Sequence, residues 1–196
     1  MEPTLDRLSR DWNSTDYART VEPKLNAIVL RFIAAAFAKL GWNPDDGASS
    51  FVELPESLGI AHQRRRLFAR LTEIFREGSR YVDSTPVELV CERVQSEHPD
   101  CRVLVEMLKR CGARLAEVLR GEVDPREILF TPDALTAWSQ FFSELPWYCF
   151  YNSIVAEAIA IVAQSVSRNT KLRILEIGAG TGGTTSFVLS RLTQFG

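Results

Sequence analysis

Residues 171–192, KLRILEIGAGTGGTTSFVLSRL, decide how the rest of the chain is read. Leu172, Ile174, Leu175 and Ile177 make a short apolar run of strand character. Gly178, Gly180, Gly182 and Gly183 follow at once. Glycine lets the backbone turn sharply and come close to a ligand where a Cβ would collide. A helix is predicted from near Thr184, with its unpaired N–H groups turned toward the same spot. Strand, glycine turn and helix in succession suit a loop that holds a cofactor.

Taken literally, residues 178–183 satisfy G-x-G-x-x-G, the spacing of a dinucleotide site. Two features favour S-adenosylmethionine instead. Glu176 stands two residues before the first glycine, and Gly178, Gly180 and Gly182 alternate, giving E-x-G-x-G-x-G. An acid at the end of the strand suits a ligand carrying an ammonium group and a sulfonium, and suits a pyrophosphate poorly. The acidic residue that holds a ribose, about 20 residues further on in either class, would fall beyond Gly196.

At 196 residues, 45% hydrophobic and 24% charged, the composition is that of a globular protein with one or two small cores. A net charge of −2 argues against nucleic acid as a partner. Cys91, Cys101, Cys111 and Cys149 lack paired spacing, and only two histidines accompany them, so reduced thiols are expected and no metal site. The N-terminus is acidic and polar where a signal peptide would be basic and then apolar, which points to the cytoplasm. Asn26, Arg31 and Lys39 interrupt the apolar run at 24–40, so no membrane span is expected there.

Residues 1–20 read as a short irregular arm with one helical turn, tied down by Leu5, Leu8, Trp12 and Tyr17. Leu25, Ile28, Val29, Phe32, Ile33, Ala36, Phe37 and Leu40 recur at helical spacing and predict an amphipathic helix over 24–40, stopped by Gly41. Residues 51–58 and 61–77 read as a helix-turn-helix with Arg64, Arg65 and Arg66 at the start of the second helix. DNA binding is one reading of that pattern, and a packing module is the simpler one, because three adjacent arginines spread around most of a turn. Thr85, Pro86 and Glu88 form a capping-box pattern for a helix to Glu97. A longer helix is predicted over 100–120, in which Gly112 costs about 1 kcal/mol against alanine unless another helix packs closely on it. Asp124-Pro125 starts a short segment, Pro132 opens a helix to about Glu144, and an aromatic-led helix runs over 147–166.

LEIGAGTGGTT at 175–185 resembles motif I of class I S-adenosylmethionine-dependent methyltransferases, and more narrowly the carbon methyltransferase domains of polyketide synthases. The segments HPDCRVLVEMLKRCGARLAEVLRGEVDPREILF and FYNSIVAEAIAIV are similar to the helical region that precedes that motif, and ELPESLGIAHQRRRLFARLTEIFREG to its winged-helix-like part. The resemblance implies a mostly α chain, with a helical lid region over 1–145. Over 146–196 it implies a linking helix and the first β-loop-α unit of a truncated Rossmann-like fold. It also implies S-adenosylmethionine over the loop formed by Gly178, Ala179, Gly180, Thr181 and Gly182, with Glu176 ordering the loop and the methionine amino end. Tyr151 would meet the cofactor from the lid side. The family methylates the α-carbon of a carrier-bound β-ketoacyl chain, so the implied partners are the rest of the megasynthase and an acyl carrier protein.

The histidine and acid that remove the α-proton in that family come after motif I. His62 and His98 match no catalytic motif, so no catalytic residue is assigned and the chain alone is expected to be inactive. The strand at 172–177 has no partner in the sequence. A front piece of a longer methyltransferase is therefore the first expectation, a non-catalytic scaffold or interaction domain of the same ancestry the second, and a helix-turn-helix DNA-binding protein the third.

Overall fold

The computed structural model describes residues 2–43, 54–78, 83, 85–167 and 171–194. In chain order the helices are α1 (Glu2–Asp11), α2 (Ser14–Thr20), α3 (Glu22–Lys39), α4 (Leu54–Ser57), α5 (Arg65–Gly78) and α6 (Val87–Glu97). They continue with α7 (Arg102–Ala113), α8 (Leu115–Arg120), α9 (Pro125–Leu129), α10 (Pro132–Glu144), α11 (Pro146–Ser165) and α12 (Gly183–Thr193). No strand occurs among the described residues. The chain is mostly α, as its periodicity predicts. It divides into two compact units, Glu22–Ala134 and Met1–Val21 with Leu135–Gly196.

In the unit Glu22–Ala134, α3 is the central post. It packs against α5, α6, α7 and α8, so residues on more than one of its faces are buried, including Leu25, Ile28, Leu30, Ile33 and Phe37. Phe37 is fully buried, with the rings of Trp42 at 4.7 Å and of Phe68 and Phe75 each at 5.7 Å. Tilted and edge-on pairs of this kind add to the area each ring removes from water.

Arg31, whose charge interrupts the apolar run, is only 8% exposed. Burying a guanidinium is tolerable when its donors are satisfied. Its Nη2 meets Asp83 Oδ1 at 2.5 Å, Nη1 donates to the Ala27 carbonyl at 3.0 Å, and Nε donates to the Thr85 carbonyl at 3.2 Å. Thr85 returns its own N–H to Asp83 Oδ1 at 2.9 Å. The expected capping box does not form. The helix begins at Val87, so the cap position falls on Pro86, whose side chain has no acceptor, and Thr85 stands one residue outside it.

The helix expected over 100–120 is a 3-10 turn, Pro99–Cys101, then α7 and α8 with a break at Arg114. Gly112 has the close packing that justifies it. A Cβ there would overlap the ring of Phe32 on α3. In the helix-turn-helix region, residues 51–53 lie outside the described residues and α4 is a single turn. Arg65 pairs with Glu56 at 2.8 Å, and both Arg64 and Arg65 are half-buried, so the three arginines present no continuous basic face.

In the other unit, residues 2–20 are two helices, not an irregular arm. Packing supplies what the sequence lacks. Leu8 is buried, the Trp12 indole N–H donates to Ser153 Oγ at 3.0 Å, and the Trp12 ring lies 6.1 Å from that of Phe187. α1 and α2 thereby settle on α11, which in turn packs along α12. The bidentate pair of Arg191 with Glu157, at 2.6 and 3.2 Å, clamps α12 to α11.

Candidate cofactor site

The glycine loop uses backbone conformations that glycine enters readily. Gly178, Gly180 and Gly182 take φ of +78°, +58° and +76°. This left-handed region is disfavoured for residues with a Cβ, so the alternation of glycines is a backbone requirement. Gly182 is the N-cap of α12, and the helix starts at Gly183, one residue before the expected position. Residues 171–176 have no regular secondary structure. The strand expected at 172–177 is therefore not formed here. A strand needs a ladder partner for its N–H and C=O groups, and none exists among the described residues. Leu175 and Ile177 are 84% and 89% exposed in consequence.

Beside the loop lies a cavity of about 390 Å³, within the size range of small-molecule sites. Gly178, Ala179, Gly180 and Thr181 form one wall, and Phe142, Tyr148 and Tyr151 bring three aromatic rings to it. Of the predicted site residues, Tyr151 and the loop from Gly178 to Thr181 are thus brought together. Tyr151 is 46% exposed and stacks edge-on to Trp147 at 4.9 Å. Gly182 and Glu176 do not line the cavity. Gly182 caps the helix behind it, and the Glu176 carboxylate accepts a hydrogen bond from the Thr185 hydroxyl, which ties the segment before the loop to the first turn of α12.

Sequence reasoning missed Asn152 and Thr184. Asn152 is 7% exposed, a buried amide on α11. Its Nδ2 donates to the Phe142 carbonyl at 3.0 Å, and its Oδ1 accepts from the Thr184 hydroxyl at 2.8 Å. The signal was in the sequence: Pro146 stands four residues after Phe142, so the carbonyl of Phe142 has no i+4 N–H to accept from. Asn152 supplies that missing donor. Cys149 does the same for the next carbonyl, its thiol lying 3.2 Å from Ser143 O, and burial pushes the Cys149 thiol pKa up. The turn between α10 and α11 is thus sealed by side chains from α11, and one of them reaches on to the start of α12.

The wall and its lining fit S-adenosylmethionine. A Cβ at Gly178 would meet nothing within 4 Å, so the loop leaves open space on the cavity side. Aromatic rings suit a sulfonium cation, and Thr181, Thr184 and Asn152 are the polar uncharged residues of the lining beside the two tyrosines. A larger cavity of about 680 Å³ lies between α1, α11 and α12. It is a weaker candidate, because Glu157 is held by Arg191 and Ser153 by Trp12. Among the described residues no group of three or more His, Cys, Asp and Glu side chains converges as a metal site would. No single helix among them is long and apolar enough to cross a membrane.

In sequence the chain is similar to polyketide synthases and a polyketide methyltransferase, and in fold to solved carbon methyltransferases of polyketide synthases. The polyketide methyltransferase ustM of Ustilaginoidea virens is 30% identical over 205 residues, covering 94% of this chain and 45% of that protein. The non-reducing polyketide synthase ausA of Aspergillus calidoustus is 29% identical over 189 residues, 90% of this chain and 8% of the synthase. The CurJ carbon methyltransferase superposes with a TM-score of 0.85 at 25% identity, over 96% of this chain and 54% of that one. The citrinin polyketide synthase methyltransferase domain has the same fold, with a TM-score of 0.83 at 19% identity over 99% of this chain and 55% of its own. No family model matches the chain. The chain therefore spans about half the length of the solved methyltransferases it matches.

Proposed function

We propose that this chain is the front part of a polyketide C-methyltransferase: a helical lid region followed by the first β-loop-α unit of a Rossmann-like cofactor domain. The observation that carries this reading is the loop itself. Gly178, Gly180 and Gly182 are all left-handed, and the loop walls a cavity that Tyr151, Tyr148 and Phe142 share. S-adenosylmethionine, when bound, supplies a methyl group activated on a sulfonium. The chain's own residues bind and orient. The loop from Gly178 to Gly182 lets the backbone lie close to the ligand, Tyr151 covers it from the lid side, and Glu176 orders the loop through Thr185.

Removal of the α-proton from a β-ketoacyl thioester needs a positioned base, and among the described residues no His, Asp or Glu lines this cavity. The base, the later strands and the acyl carrier protein belong to the remaining half of the methyltransferase and its megasynthase. The unpaired segment at 172–177 is the edge those strands would join. Polyketide biosynthesis is then the setting, with the α-carbon of a carrier-bound chain as the methyl acceptor.

Titrating the isotope-labelled chain with S-adenosylmethionine and following backbone amide resonances tests the reading. Shifts should concentrate at 178–185 with weak affinity, undetectable or nearly so by calorimetry, because part of the pocket is missing. No methyl transfer should be measurable from the chain alone. Saturating titration with no shift at 178–185 would remove the cofactor from this loop.

A further inference from the structure

We infer that Asn152 is a positioning residue for the cavity: its side chain holds the aromatic wall built by α10 and α11 at a fixed spacing from the start of α12, which carries the glycine loop. This rests on the cofactor reading of the loop given above. Three helices meet at the Phe142 carbonyl. Pro146 leaves that carbonyl without its helical donor, and Asn152 Nδ2 donates to it at 3.0 Å. From α12, Gly183 stands so close that a Cβ there would lie 3.1 Å from the same oxygen and 3.3 Å from Phe142 Cβ. The carbonyl can only accept, so the amide nitrogen of Asn152 must face it and the amide oxygen must face Thr184, whose hydroxyl donates across 2.8 Å. Both ends of one buried amide are used, one on α10 and the other on α12.

The loop needs such an anchor. Residues 171–176, which lead into it, have no regular secondary structure, and the Glu176 carboxylate ties them to Thr185, so this entry follows α12. Within the loop, a Cβ at Gly178 or Gly182 would meet nothing within 4 Å, and one at Gly180 would meet only the Gly178 carbonyl at 3.9 Å. Little packs against the loop, so its distance from Phe142 and Tyr148 is set by how the first turn of α12 is seated. Phe142, Asn152, Gly183 and Thr184 all line the cavity, which makes this joint part of its wall. A ligand then meets two walls already in register, and binding does not have to order them.

The probe is S-adenosylhomocysteine, titrated by backbone amide resonances into the wild-type chain and into Asn152→Leu, Thr184→Val, the two combined, Thr184→Ser and Gly183→Ala. Thr184→Val severs only the arm to α12 and leaves the Phe142 carbonyl satisfied, so it reads the joint even where Asn152→Leu fails to fold. Affinity should fall about fivefold in Thr184→Val, the size of one net hydrogen bond. The double variant should lose no more than the weaker-binding single one, because either change opens the same joint. Thr184→Ser keeps the hydroxyl and should keep wild-type affinity. Gly183→Ala removes no hydrogen-bonding group and favours the helix, yet it should weaken binding by a similar factor by pushing α12 away from Phe142. Losses that add in the double variant, a loss in Thr184→Ser equal to that in Thr184→Val, or wild-type affinity in Thr184→Val or Gly183→Ala overturns the inference and leaves the cofactor reading standing. Failure of the wild type to show shifts at 178–185 overturns both.

Discussion

The ring of Phe32 occupies the place where Gly112 would carry a side chain, so α3 and α7 meet at a distance that only glycine permits. Gly112→Ala should therefore destabilise the chain by about 1–3 kcal/mol, the usual cost of overpacking, even though alanine is worth about 1 kcal/mol more than glycine in an exposed helix. Urea unfolding of Gly112→Ala and of Gly112→Ala with Phe32→Leu checks it. The second change should restore part of the loss, and an unaltered midpoint for the single variant would show that the ring moves aside freely.

Asp83 is held at a pKa of about 2, below its usual 3.8, first by the Thr85 backbone N–H, then by the Thr85 side chain and Arg31. A carboxylate lowered on folding stabilises the native state above its unfolded value, and that contribution is lost as the pH falls through the folded value. Wild type should thus exceed Asp83→Asn in stability at pH above 3.8, with the gap closing as the pH falls toward about 2. Denaturation at a series of acid pH values reads this directly, and a gap that stays constant with pH would contradict it.

Removing the Glu157 carboxylate should loosen α12. Its bidentate pair with Arg191 is mostly shielded, and this hydrogen bonding lowers the Glu157 pKa. Glu157→Gln is expected to cost about 1 kcal/mol and to speed hydrogen exchange in α12 more than in α3. Uniform acceleration in both helices would mean that the pair supports the whole chain and not this junction.

At Gly182 the constraint is backbone conformation and not space, since φ is +76° and no atom lies near a built Cβ. Gly182→Asn should be tolerated better than Gly182→Val, by about 1 kcal/mol or more, because asparagine enters the left-handed region with less strain. Thermal unfolding of the two variants gives the comparison, and equal losses would refute the assignment.

What the sequence made legible was periodic or local. The apolar spacing at 25–40 marks α3, and the alternation of Gly178, Gly180 and Gly182 marks positions that the backbone then uses in the left-handed region. What it hid was tertiary. α1 is helical because Leu8 and Trp12 find partners on α11 and α12, well over a hundred residues away. Arg31 reads only as a charge interrupting an apolar run, and its burial among Asp83 and two carbonyls is tertiary. The role of Asn152 emerges only when the proline that robs Phe142 of its donor is counted. The apolar run at 172–177 has the composition of a strand, yet composition cannot provide the neighbour that a strand requires.

That exposed run bears on how such a protein is made. The core around Phe37 is assembled from segments before residue 120, so it can close while later residues are still being synthesised. Leu175 and Ile177 then emerge as a bare, β-prone edge, which in the absence of its neighbours is a template for pairing with other chains. Keeping that edge covered, by a segment that pairs with it or by a chaperone, would decide whether the chain accumulates in soluble form.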